Sequence, residues 1–74
     1  MSKEEKEYIL AIGKQIKAIR QSKDIAQKDL AYICELDIST MNRIESGVYI
    51  PRITTLKKIA IALNIPISQI VDIK

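Results

Sequence analysis

The segment 27–47 limits the possible folds of this 74-residue chain more than any other stretch. It contains two runs of apolar residues at helical spacing, a residue that can begin a helix and a residue that can end one. Its first half places apolar residues at helical spacing, at Leu30, Ala31, Ile33 and Cys34. Asp37 is a good N-cap, since its side-chain oxygen can accept from a free amide of the next turn, and Gly47 is typical of a residue that ends a helix. The segment predicts helices over 27–34 and 38–46. Two short helices joined at a steep angle by a turn of about three or four residues form a helix-turn-helix unit.

The second of these helices has one apolar and one mostly polar side. At about 100° per residue, its apolar side carries Met41 and Ile44, next to Thr40. The opposite side must then face outward, and it carries Ile38, Ser39, Asn42 and Arg43. Arginine and asparagine can bond guanine and adenine edges with two hydrogen bonds, serine bonds flexibly, and an exposed aliphatic side chain can contact a thymine methyl. These four are candidate base-reading residues. A solvated helix face without a DNA role accounts for the same four residues equally well.

Further helices are predicted on both sides of this unit. Ser2 and Glu5 match a capping box, which predicts a first helix from there to about Ser22. Its expected buried stripe is Ile9, Ile12, Ile16 and Ile19. Gly13 interrupts that helix, at a cost of about 1 kcal/mol relative to alanine.

The C-terminal third of the chain predicts a fourth and a fifth helix. Thr54 is the expected cap of the fourth helix, and Asn64 and Pro66 are expected to end it. Its predicted inner face is Leu56, Ile59, Ala60 and Leu63. A short fifth helix is predicted over 67–71.

Composition bounds the class of protein. A chain of this length is one domain near the lower limit for a self-sufficient core, and its 47% apolar residues exclude disorder. The absence of Phe and Trp means that sixteen isoleucines must supply much of the core. The net charge of +3 permits a polyanionic partner without requiring one, and it suits contact with a few phosphates rather than many.

Several functions are excluded by what the sequence lacks. Without histidine and with one cysteine there is no zinc site, and two glycines cannot build a phosphate-cradling loop. No nucleophile–base pair is present, so we do not expect an enzyme. We also expect no cofactor and no small-molecule ligand. Cys34 cannot form an internal disulfide and is expected in the core. No apolar run could span a bilayer and no signal peptide is evident, so we expect a cytoplasmic protein without membrane contact.

The chain resembles the lambda-repressor-like, Cro/C1-type (XRE) helix-turn-helix family over roughly residues 9–72. The matching pieces are IGKQIKAIRQSK (12–23), AQKDLA (26–31), STMNRIESG (39–47), IPRITTLKKIAIALNI (50–65) and PISQIV (66–71). Each piece is weak alone, but five in the right order and spacing are highly specific. The resemblance implies an all-α, compact five-helix domain over 1–74, with a charged N-terminal extension at 1–8. It also implies a helix-turn-helix motif at about 27–46, formed by the second and third helices of the domain, with the third helix in the major groove.

The resemblance also implies roles for individual residues. Arg20 and Glu45 stand where the family has a largely buried ion pair between the first and third helices. Gln27 stands where the family meets a phosphate at the start of the second helix, where free amides and the helix dipole attract anions. Further expected phosphate contacts are Lys28, Ser46 and Arg52. The alternatives are two unconnected surface charges for the pair, and an ordinary polar first-turn residue for Gln27.

Two positions depart from the family pattern. Glu35 stands where the turn usually has glycine, because a residue there tends toward positive φ. The glutamate must accept that strain or reshape the turn. Ile38 stands where a polar base-reading residue is common, and it could contact a thymine methyl or be covered by a protein partner.

These observations predict a bacterial or phage-type transcriptional regulator that binds double-stranded DNA as a homodimer on a palindromic operator. Short phage repressors and controller proteins of restriction–modification systems share this size. The last ten residues carry more apolar side chains than we expect a short helix to bury on its own domain. The predicted dimer interface is Tyr49, Ile50, Ile67, Ile70, Val71 and Ile73. The alternative is an antitoxin-like or scaffold module whose main partner is another protein.

Overall fold

The computed structural model describes residues 1–73, and it is all-α over that range. Its helices are α1 (Lys3–Ser22), α2 (Gln27–Ile33), α3 (Ile38–Ser46), α4 (Ile53–Leu63) and α5 (Ser68–Val71). The five-helix architecture expected from the sequence is confirmed. No helix within these residues has the length and apolar character needed to cross a membrane.

Local caps set the ends of α1 and α3. The Ser2 N–H donates to Glu5 Oε1 at 3.0 Å and the Glu5 N–H donates to Ser2 Oγ at 3.1 Å, which is the predicted capping box. The Thr40 N–H donates to Asp37 Oδ1 at 2.7 Å, and Gly47 ends α3 with a φ of 75°. The start of α1 at Lys3 makes the charged segment 3–8 the first turns of that helix.

The predicted start of α4 is wrong. Arg52, not Thr54, occupies the N-cap position, and no side chain caps this helix. The Leu56 N–H donates to the Arg52 carbonyl oxygen at 3.0 Å, so the helical hydrogen bonds begin two residues earlier than predicted. Thr54 therefore lies inside the first turn.

The core is almost entirely aliphatic and is shared by all five helices. Its buried apolar residues are Ile12, Ile16, Leu30, Ala31, Cys34, Met41, Ile44, Leu56, Ile59, Ala60, Leu63 and Ile70. The predicted inner face of α4 is confirmed. Ile9 and Ile19 are only half-buried, against the expectation for α1. Ile9 borders an open groove, which explains its partial exposure.

Two glycines let α1 cross the end of α3 at very short range. A Cβ at Gly13 would lie 2.5 Å from the Ile44 carbonyl oxygen and 2.7 Å from that of Glu45. A Cβ at Gly47 would lie 2.6 Å from the Cα of Leu10. The glycine inside α1 is therefore a steric requirement of the crossing, and this crossing holds α3 in place.

The structure corrects one residue of the predicted dimer interface. Ile70 is 0% exposed and belongs to the core of its own domain, so it cannot meet a partner. Helix α5 is also bonded to α1: the Tyr8 hydroxyl donates to the Val71 carbonyl oxygen, and Gln15 Nε2 donates to the Gln69 carbonyl oxygen at 3.0 Å. The other predicted interface residues near the C-terminus are half-buried, namely Ile67, Val71 and Ile73.

Candidate nucleic-acid interface

One face of α3 is free while the opposite face is fully enclosed. Met41 is 0% exposed and Ile44 is 1% exposed. The four candidate base-reading residues are all exposed, at Ile38, Ser39, Asn42 and Arg43. The helix thus presents an arginine, an asparagine, a serine and an aliphatic side chain together on one outward surface.

A buried ion pair joins the end of α1 to the end of α3. Arg20 Nε donates to Glu45 Oε2 at 2.7 Å, and Arg20 Nη2 donates to Glu45 Oε1 at 3.1 Å. The remaining arm, Arg20 Nη1, donates to the Ile25 carbonyl oxygen at 2.6 Å. Both charged residues are buried, and no buried side-chain nitrogen or oxygen within 1–73 lacks a hydrogen-bond partner. This planar two-point contact fixes the orientation of α3 as well as its distance from α1.

Gln27 has a contact that the sequence did not reveal. It is the first residue of α2, it is half-buried, and its Nε2 donates to Glu45 Oε1 at 3.1 Å. Because a carboxylate only accepts, the amide nitrogen of Gln27 must face Glu45. The two residues are 18 positions apart, so no local spacing signalled the bond.

The other candidate phosphate-binding residues lie at helix ends on the surface. Lys28 is exposed in the first turn of α2, and Ser46 is exposed in the last turn of α3. Arg52 is exposed at the N-cap of α4. Helices α2 and α4 both begin without a side-chain cap. Their first amides are therefore not occupied by a capping side chain.

The turn between α2 and α3 keeps the shape that the resemblance implies. Glu35 has a φ of 58°, so the glutamate accepts the left-handed conformation. Its carboxylate is exposed and lies 3.9 Å from Lys58 Nζ, a weak contact at the surface. Hydrogen bonding by Thr40, through its side chain and its backbone, holds the pKa of Asp37 below its usual value at the end of this turn.

Cys34 follows the expectation of a core residue. It is 2% exposed, and burial raises the pKa of its thiol, while the positive charge of Lys58 acts in the opposite direction. A thiol with a raised pKa is poorly reactive near neutral pH. Residues 1–73 contain no group of three or more side chains that could hold a metal ion.

An apolar surface lies beside α3, on the loop that follows it and on the first residue of α4. Val48, Ile50 and Ile53 are 75%, 58% and 66% exposed, and Tyr49 is 39% exposed. Ile50 and Ile53 also border a groove of about 380 Å³, together with Tyr8 of α1. Tyr8 also bonds the Val71 carbonyl oxygen, so it links the border of this groove to the C-terminal residues.

Most of the chain is similar to known helix-turn-helix proteins. The family model described as Helix-turn-helix matches residues 16–70. The immunity repressor protein of Bacillus phage phi105 is 39% identical over 62 residues, which make up 84% of this chain and 43% of that repressor.

Three solved structures share the fold. The restriction-modification controller protein C.AhdI from Aeromonas hydrophila has a TM-score of 0.82 at 26% identity, covering 84% of this chain and 94% of the other. An HTH_3 family transcriptional regulator from Vibrio cholerae has a TM-score of 0.82 at 27% identity, covering 89% of this chain and 37% of the other. The hypothetical transcription factor NHTF from Neisseria has a TM-score of 0.83 at 22% identity, covering 90% and 77%.

The matched part of this chain spans less than half the length of the phage repressor and of the Vibrio regulator. The family match nevertheless includes the whole of α2, α3 and α4, with the turn between α2 and α3 and the ion pair of Arg20 and Glu45. The chain belongs to the Cro/C1-type (XRE, lambda-repressor-like) helix-turn-helix family, whose members are DNA-binding transcriptional regulators and not enzymes.

Proposed function

We propose that this protein is a sequence-specific transcriptional regulator that reads double-stranded DNA with α3 in the major groove. The observation that carries the proposal is the division of α3 into a fully buried face and an exposed face of base-reading residue types. The immunity repressor and controller protein named above support it by sequence and fold. Since DNA is the target, we assign the protein to the cytoplasm.

Within this proposal, two residues of α3 carry most of the base recognition. Arg43 is suited to the two acceptors of guanine, and Asn42 to the acceptor and donor of adenine. Ser39 and Ile38 lie on the same exposed face, with Ile38 at 53% exposure and suited to a thymine methyl.

Phosphate contacts would hold the domain on the duplex. The residues proposed for this role are Gln27, Lys28, Ser46 and Arg52. They lie at the start of α2, at the end of α3 and at the N-cap of α4. Such contacts set register without carrying sequence information.

A homodimer on a palindromic operator completes the proposal. Two-fold dimers of this type place their recognition helices about 34 Å apart, and the domain is 32 Å along its longest axis. Two copies in direct contact can therefore span the required distance. The proposed interface is the exposed loop at Tyr49 and Ile50, extended by the exposed parts of Ile67, Val71 and Ile73.

The test is selection of bound sequences from random duplex DNA, followed by two alanine variants. Arg43→Ala should lose about 1–3 kcal/mol of preference for the selected site. Lys28→Ala should weaken binding to all duplexes alike and flatten the salt dependence by about one unit of slope.

An unchanged preference in Arg43→Ala would show that α3 is not the reading element. A wild-type protein that selects no sequence would favour the alternative of a module whose main partner is another protein. The exposed apolar loop beside α3 would then be the surface to test against candidate protein partners.

A further inference from the structure

One carboxylate oxygen connects three helices of this domain. Glu45 Oε1 accepts from Arg20 Nη2 at 3.1 Å and from Gln27 Nε2 at 3.1 Å. Arg20 belongs to α1, Gln27 to α2 and Glu45 to α3. The buried ion pair is thus a three-helix junction, and Gln27 is the member contributed by the start of α2.

The residue that carries this oxygen lies close to the exposed face of α3. Glu45 lies two residues after Arg43 and three after Asn42, less than one helical turn away. On the α1 side, the absence of a Cβ at Gly13 lets the backbone of α3 approach closely, so α3 has no room to move toward α1. Any rotation of α3 about its own axis must therefore displace the Glu45 carboxylate from Arg20, Gln27 or both.

We propose that Gln27 is a positioning residue for the base-reading face. Its bond to Glu45 fixes the rotation of α3 relative to α2, in addition to any contact that its second N–H makes with phosphate. The inference rests on the proposed function of α3 as the reading helix. It assigns Gln27 a part in sequence preference, which a phosphate contact alone does not have.

The two roles for Gln27 predict different losses. A residue that only contacts phosphate should, when removed, weaken binding to the selected site and to random DNA by the same factor. A residue that orients α3 should reduce the ratio of the two affinities, because the base contacts become misaligned. The exposed neighbour Lys28 has no hydrogen bond to Glu45 in the described structure and serves as the matched control.

The experiment compares Gln27→Met and Lys28→Met, each with a side chain of similar length and no donor. For Gln27→Met we expect the ratio of selected-site to random-site affinity to fall by about tenfold, equivalent to one good base contact. For Lys28→Met we expect both affinities to fall and the ratio to stay within about twofold of wild type. Gln27→Asn retains the amide but is one methylene shorter, so its amide should not reach Glu45. We therefore expect it to lower the ratio of selected-site to random-site affinity as Gln27→Met does.

A measurement without DNA separates positioning from binding. In the free protein, Gln27→Met should shift the backbone amide resonances of residues 39–43, while Lys28→Met should leave them in place. Thermal melts establish that each variant is folded at the temperature of the assay, and Gln27→Asn replaces Gln27→Met if the latter is not.

Each outcome bears on a different statement. A wild-type protein with no preferred sequence overturns the proposed function and the inference with it. A wild-type preference that survives unchanged in folded Gln27→Met or Gln27→Asn, with unshifted α3 resonances, overturns the positioning role alone.

Discussion

Arg20 and Glu45 place opposite charges inside an otherwise aliphatic core. The pair is bidentate, and its third arginine arm satisfies the Ile25 carbonyl oxygen. Desolvation offsets much of the Coulomb attraction in such a pair, so its net contribution to stability is small. The main role of the pair is to orient α3, because the contact holds this helix at one angle to α1.

The prediction at this pair is a large asymmetry between breaking it and removing a surface charge. Arg20→Ala or Glu45→Ala should lower the free energy of unfolding by about 3–5 kcal/mol, because each leaves an unpaired buried charge. The exposed Lys57 on α4 provides the control, and Lys57→Ala should change stability by no more than about 0.5 kcal/mol. Urea denaturation measures all three. Equal midpoints would remove the buried pair as a determinant of the fold.

Glu35 adopts a left-handed backbone conformation that favours glycine. Its φ of 58° costs a non-glycine residue about 1–2 kcal/mol, and its contact with Lys58 at 3.9 Å is too exposed to offset that strain. Glu35→Gly should therefore raise stability by up to about 1 kcal/mol, after the greater flexibility of glycine in the unfolded chain is included.

The control at this position is Glu35→Ala, which removes the same charge and the same contact while keeping the strain. Thermal melts of the two variants differ only through the backbone, so the glycine variant should be the more stable. An alanine variant as stable as the glycine variant would mean that the turn carries no strain.

At the scale of the helices, the crossing of α1 and α3 depends on Gly13. Gly13→Ala raises helix propensity by about 1 kcal/mol, but its Cβ would lie 2.5 Å from a backbone oxygen. Backbone cannot move aside like a flexible side chain, so we expect net destabilisation of about 1–3 kcal/mol. Calorimetric melting measures it, with the exposed Lys14→Ala as control. A Gly13→Ala protein that is more stable than wild type would show that α1 and α3 can separate without loss.

Some features of these helices could be predicted from the sequence and others could not. The caps at Ser2, Asp37 and Gly47 were predictable because each acts on amides or carbonyls within its own turn. The outward face of α3 was predictable for a related reason, since helical periodicity separates it from the core. The role of Gly13 and the bond from Gln27 to Glu45 depend on distant segments, and no local pattern reports them.

At the scale of the whole molecule, two surfaces lie side by side. The exposed face of α3 carries the polar groups that suit base edges, and the loop that follows it carries the apolar residues Val48 and Ile50. The burial of Ile70 moves the proposed contact between copies away from α5 and toward this loop. The proposed contact therefore lies close to the DNA-reading helix. The contact between copies would then set the distance between the two reading helices, and this distance must match the spacing of the two half-sites.

This constraint leads to a prediction about operator spacing. Half-sites read by two contacting copies should be centred about 10 base pairs apart, on one face of the duplex. Inserting about 5 base pairs between them rotates one half-site to the opposite face, so copies of a domain 32 Å long can no longer touch while both are bound. We expect the affinity to fall to that of an isolated half-site, measured by electrophoretic mobility shift. The same insertion placed outside the half-sites should have no effect. Equal affinity for the original and the lengthened operator would show that the copies bind independently, and the homodimer would then have to be given up.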